Sequence, residues 1–188
     1  MKRSFRHLLH AGAIMAAAFA GAAHSDTVGT VATASSAVSV PELPLVGSGT
    51  LKWYGLRIYD VEYREAPDAC TPRILRITYA RRIPTHRLIK ATREQWQEIG
   101  VADESAVRAW LREAGALWPD IEPGDHLLLL VDSDGASHFF GSDGFLGTIQ
   151  DPAFGTAFIA IWLSPDTTEP KLRAQLLEGG SSCPVISF

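Results

Sequence analysis

Within "LKWYGLRIYDVEY", residues 51 to 63, two cations, Lys52 and Arg57, stand among Trp53, Tyr54, Tyr59 and Tyr63. A guanidinium flanked by aromatic rings suits a carboxylate or phenolate held in an apolar cleft. Its planar fork donates paired hydrogen bonds, and the rings keep water away. If the pleat of one strand continues through Gly55, then Trp53, Arg57 and Tyr59 share a face. Lys52 supplies a second cation, and Tyr59 or Tyr54 a hydroxyl donor. The candidate ligand-binding residues are therefore Lys52, Trp53, Arg57 and Tyr59; no catalytic residue is assigned. The same side chains also fit a plainer role, with the arginine stem lying along a sheet edge and the tyrosine rings packed in a core.

Other chemistries find little support. Past the first 25 residues the histidines are His86, His126 and His138, none at a paired metal spacing and none in an HExxH frame. No GxSxG is present. "GSG" at 47–49 leads into a strand rather than opening a helix, so it does not cradle a phosphate. "DSDG" at 132–135 has the start of a calcium loop but lacks the third liganding carboxylate and the distal glutamate, and reads as a turn. Neither a metal nor a cofactor is implied.

Residues 1 to 25 have the form of a secretory signal. Lys2, Arg3 and Arg6 precede an Ala-rich apolar run, and "AHS" offers a cleavage site after Ser25. The expected location is periplasmic or secreted. This leader holds three of the 17 basic residues and none of the 21 acidic ones, so the remainder carries 14 against 21. With no basic run, a nucleic-acid partner is not expected. No second apolar stretch is long enough to span a membrane. In an exported chain the pair Cys70 and Cys183 is expected to form a disulfide, worth about 5 kcal/mol at most because the loop it closes is long. Oligomeric state leaves no trace in the sequence.

The elements that must position these residues form one domain, 46–188, after a Thr/Ser/Ala-rich lead-in at 26–45. Residues 47–63 form one bent strand or a tight strand pair around Gly55, and 73–81 alternates as another strand. Thr85 and Asp103 are placed to cap two helices bearing the stripes Leu88, Thr92, Trp96, Ile99 and Val107, Trp110, Leu111, Ala114, Trp118. Asp134–Gly135 and Asp143–Gly144 divide 126–149 into a three-stranded meander. Asp151–Pro152 starts a helix with Phe154, Ala157, Phe158, Ile161 and Trp162 on one face. Thr168 caps a last helix bearing Leu172 and Leu176. The fold class is α+β, strands first, with helices on one face of the sheet.

Four segments in this order, "GSGTLKWYGLRIYDVEY", "LRITYARRIPTHRLIKA", "WPDIEPGDHL" and "GFLGTIQDPAFGTAFIAIWLSPDTTEPKLRAQLL", resemble the chalcone isomerase-like family, and specifically its exported bacterial branch. The resemblance implies an open-faced β-sandwich, a large antiparallel sheet with helices packed on one side. Catalytic members of that family close a chalcone by adding a phenolate to an enone, and non-catalytic ones bind fatty acids in the same cleft. The active pattern has an arginine soon after the glycine-rich start of the first strand. Here Thr50, Leu51 and Lys52 follow Gly47–Gly49, Arg57 is the nearest arginine, and Tyr59 lies near the family's hydroxyl position. The expected function is binding of a small hydrophobic or aromatic anionic ligand between sheet and helices. The alternative is an isomerase or lyase acting on an enone-like substrate, with Arg57 or Lys52 as its electrostatic group. A third reading is a partner-binding scaffold whose cleft is filled by its own side chains.

Overall fold

The computed structural model describes residues 38–67, 69–183 and 188. The expected leader and residues 26–37 of the lead-in lie outside the described residues. Six strands, β1 (Leu45–Trp53), β2 (Leu56–Glu65), β3 (Arg73–Tyr79), β4 (His126–Val131), β5 (Ser137–Gly141) and β6 (Gly144–Ile149), pair in chain order. Every pairing is antiparallel. Four helices accompany them: α1 (Thr85–Glu98), α2 (Glu104–Leu117), α3 (Pro152–Leu163) and α4 (Pro170–Leu176).

Residues 47–63 form a strand pair, not one bent strand. Tyr54 and Gly55 have φ of 48° and 78°, the two positive angles of a tight hairpin turn whose twist matches its strands. Leu51 lies opposite Tyr59 and Lys52 opposite Arg57, so Ile58 is an extra residue, a bulge. The bulge leaves Ile58 and Tyr59 both buried and turns Arg57 outward.

From Tyr59 onward, alternation is regular. Tyr59, Val61, Tyr63, Leu75, Ile77, Tyr79, Leu127, Leu129 and Phe139 belong to one buried core with residues of all four helices. The other face carries Thr50, Asp60, Glu62, Arg64, Arg76 and Thr78. The helices cover one face only, which is the expected α+β open-faced architecture, with Ile74, Leu130 and His138 buried on the other.

Glycines seat α4 on β1. A Cβ on Gly47 would stand 2.2 Å from the Gln175 carbonyl oxygen, and one on Gly49 would meet Leu172 and Gln175. The Gly179 N–H also donates to the Val46 carbonyl at 2.9 Å. "GSG" is therefore a seat for a helix.

Asp103 and Asp151 cap α2 and α3 as their positions predict. Thr85 does not cap α1. It is the first helical residue, and Asp120, far along the chain, accepts its N–H at 2.8 Å. Thr168 does not cap α4, since its hydroxyl donates to Gln95 Oε1 at 2.9 Å. Helix α3 is buried on nearly every side, not along one stripe, because it lies between the sheet and the other helices. Its last turn is held by outside donors: the Thr167 hydroxyl to the Ile161 carbonyl at 2.7 Å and Arg173 Nε to the Leu163 carbonyl at 2.8 Å.

Candidate functional site

Between the sheet and helices α1 and α3 lies a cavity of about 40 Å³, the space of roughly three water-sized spheres. Tyr59 and Tyr79 from the sheet, Trp118 after α2, and Phe158 and Trp162 from α3 supply its aromatic wall. Ile83, Leu88, Ala91, Thr92 and Gln95 close it from the α1 side. No charged residue lines it.

The rings meet largely edge to face. Tyr59 stands 6.0 Å from Tyr79 and 6.4 Å from Trp162, with interplanar angles of 70° and 74°. Such contacts add about 0.5–1.5 kcal/mol each beyond area burial. Trp162 Nε1 donates to the Tyr59 hydroxyl at 3.0 Å across the layers. Burial pushes both phenols far above their ordinary range, so Tyr59 and Tyr79 are neutral hydroxyls at any physiological pH.

The polar inventory of the cavity is uneven. The Thr92 hydroxyl is used by the Leu88 carbonyl at 2.9 Å, and Gln95 accepts from Thr168. Trp118 Nε1 is buried without a hydrogen-bond partner. An orphaned indole N–H costs about 1–3 kcal/mol until an acceptor reaches it.

Of the four candidate residues, only Tyr59 lines this cavity. Arg57 is exposed, ion-paired with Asp60, and its Nε donates to Asp60 Oδ1 at 3.0 Å. Trp53 packs at the core's edge and Lys52 is exposed. Arg57 and Tyr59 therefore do not share a face, because the bulge at Ile58 inserts the residue that separates them. The electrostatic group expected for enone chemistry stands outside the cavity, and an anion inside would find no cation among the lining residues. Trp118, Phe158 and Trp162 were legible as core rings, and Tyr79 only as part of the strand 73–81. Their convergence on one space was not, since they come from three distant parts of the chain.

Cys70 and Cys183 are free thiols at the opposite end of β2, where no disulfide joins them and Cys70 Sγ lies 3.9 Å from the Ser182 carbonyl oxygen. Burial, with the Cys70 thiol and Glu65 beside it, pushes the Cys183 thiol up to about 12. Glu65 ties down the C-terminal segment there, accepting from Ser182 N at 2.6 Å and from the Ser181 and Tyr63 hydroxyls at 2.8 and 2.7 Å. Among the described residues no three His, Cys, Asp or Glu side chains gather as a metal site, and no helix is long and apolar enough to cross a membrane.

A single antiparallel sheet with its helices on one face and a partly open aromatic cavity between the layers defines the class: an open-faced α+β protein with an interlayer cavity. Residues 35–178 match the family described as chalcone isomerase-like, and the chain belongs to that family. A crystal structure of the Arabidopsis thaliana fatty-acid binding protein AtFAP1 superposes with a TM-score of 0.57 at 10% identity, covering 74% of this chain and 89% of that one. At that identity the likeness is one of fold. An uncharacterized protein of Haemophilus influenzae is 37% identical over 75 residues, 40% of this chain and 37% of that protein's length.

Proposed function

We propose that this protein binds a small hydrophobic molecule in the cavity between its sheet and α1/α3. The observation that carries this reading is a partly open aromatic space lined by Trp118, whose buried indole N–H is unsatisfied, and by the neutral Tyr79 phenol. Those groups fit an apolar body with one hydrogen-bond-accepting head, such as a carbonyl or a protonated acid. The naming of AtFAP1 as a fatty-acid binding protein, on the same fold, supports the same class of ligand.

A space of 40 Å³ does not admit a lipid chain, so uptake requires the cover to move. Helix α1 is the natural cover, because it packs chiefly against α2 and α3 and bridges the cavity from above. The test is uptake of cis-parinaric acid by fluorescence, with native mass spectrometry of the purified chain to reveal anything carried along. Ala91→Phe should fill the space and abolish uptake while leaving the fold intact by circular dichroism. Undiminished uptake by Ala91→Phe would move the site elsewhere.

The basic-then-apolar start of the chain supports export, and the approach of Cys70 to Ser182, the residue before Cys183, supports a disulfide formed after it. The N-terminal sequence of the protein from a periplasmic fraction, and its mass under non-reducing alkylation, test both. A mature chain beginning at Met1, or two alkylated thiols, would refute them.

A further inference from the structure

The hairpin tip at the cavity end of the sheet shows features that packing does not explain. Tyr54 is 83% exposed, with its ring in solvent apart from an edge contact to Trp53 at 4.9 Å. It also holds φ of 48°, a left-handed conformation that glycine, asparagine or aspartate adopts readily and a bulky aromatic residue does not. Leu56 beside it is 48% exposed. A strained, solvated aromatic is thus kept where a turn-forming Asn would cost less.

Around this apolar tip the charge is positive. Lys52 and Arg57 face each other across the hairpin, and Arg81 Nε donates to the Arg57 carbonyl at 3.3 Å, so three exposed cations cluster there. Asp60 is the carboxylate among them, engaged by Arg57 and by the Thr50 hydroxyl at 2.7 Å. Arg82, next in the chain, pairs with Glu122. This concentration stands out in a chain whose formal net charge is −4.

We propose that the tip Trp53–Tyr54–Gly55–Leu56, with Lys52, Arg57 and Arg81, docks the protein on the surface of an anionic lipid bilayer. Aromatic rings with a polar edge settle at the headgroup level, a small aliphatic residue reaches just below it, and cations behind them meet lipid phosphates. A patch this small gives weak, reversible attachment. It sits on the strand that carries Tyr59 into the cavity, placing a lipid surface next to a space built for an apolar guest. The docking is nevertheless independent of whether a guest is bound.

Trp53 makes the proposal measurable, since Trp96, Trp110, Trp118 and Trp162 are all buried. The full chain is mixed with vesicles of bromine-labelled phosphatidylcholine, with and without phosphatidylglycerol, and Trp53 emission is followed against a Trp53→Phe control. Quenching of Trp53 is expected on anionic vesicles and not on neutral ones. Lys52→Gln and Arg81→Gln should each weaken it about fivefold, additively and with salt sensitivity. Tyr54→Asn/Leu56→Ser should weaken it at least tenfold, roughly the partition of the two apolar groups removed, with no loss of melting temperature from Tyr54→Asn. Vesicle binding without Trp53 quenching, as attachment through another segment would give, overturns the proposal. So does equal quenching on neutral vesicles, or a double variant that docks as the parent does; any of these would turn the tip towards a protein partner.

Discussion

The hydrogen bond from Trp162 to Tyr59, like that from Arg73 to Thr156, braces the sheet against α3, and a double-mutant cycle tests whether Tyr59 holds structure or waits for a ligand. Tyr59→Phe keeps the ring and its contacts with Tyr79 and Trp162 but leaves the buried indole N–H of Trp162 without its acceptor. Stranding a buried donor costs about 1–3 kcal/mol, or roughly 2–12 °C in melting temperature at 2–4 °C per kcal/mol for a chain of this size. Trp162→Phe removes the donor and also opens space against Phe158, so it should cost about 2 kcal/mol or more. With both changes no donor is left stranded, so the double variant should cost less than the two added together, by about 1–2 kcal/mol. Urea unfolding followed by circular dichroism measures all four corners of the cycle. Additivity within about 0.5 kcal/mol would refute the brace.

Gly47→Ala should lose about 1–3 kcal/mol in thermal melts, because its Cβ would meet the backbone of Gln175 and Leu176, which cannot swing away. Arg57→Ala should leave cis-parinaric acid uptake in solution unchanged and alter stability by less than about 0.5 kcal/mol, its ion pair with Asp60 being exposed. Glu65 gives a pH dependence. Burial pushes its carboxyl up, but the bonds from Tyr63, Ser182 N and Ser181 outweigh that and hold it below the usual range. A folded-state value below the unfolded one means stability that is complete above the unfolded value, about 4.3, and lost as pH falls through the folded one. Melting temperatures of the parent should therefore fall more steeply below pH 4 than those of Glu65→Gln, and parallel curves would exclude this contribution.

The fold was legible because its signals are local. Asp134–Gly135 and Asp143–Gly144 mark turns that any sheet must make, and Asp103 and Asp151–Pro152 mark helix starts by their own chemistry. Thr85 and Thr168 had the right residue type but were claimed by distant partners, Asp120 and Gln95, and tertiary competition of that kind has no sequence signature. The site was less legible. Tyr59 was found through its strand, whereas Trp118 and Trp162 read only as core, which they also are, and Tyr79 only as a strand residue. A cavity is the volume that packing leaves over, and it depends on how α1 and α3 sit rather than on any residue's type.

The same limit explains the error over Arg57, and the explanation leads back to function. Simple alternation places residues 57 and 59 on one side of a strand, and a single bulged residue, Ile58, cancels it. Bulges re-aim side chains, and here the effect is a division of labour across three residues, Arg57 to Tyr59. Tyr59 points inward to uncharged, largely aromatic surroundings where a bare anion would find no cation. Arg57 points outward beside Lys52 and Arg81, where a phosphate or carboxylate remains hydrated. Were Arg57 inside, its desolvation would have to be met by a bound anion in every state of the protein, and an empty cavity would be costly. With the charge outside, the cavity can stand empty or filled.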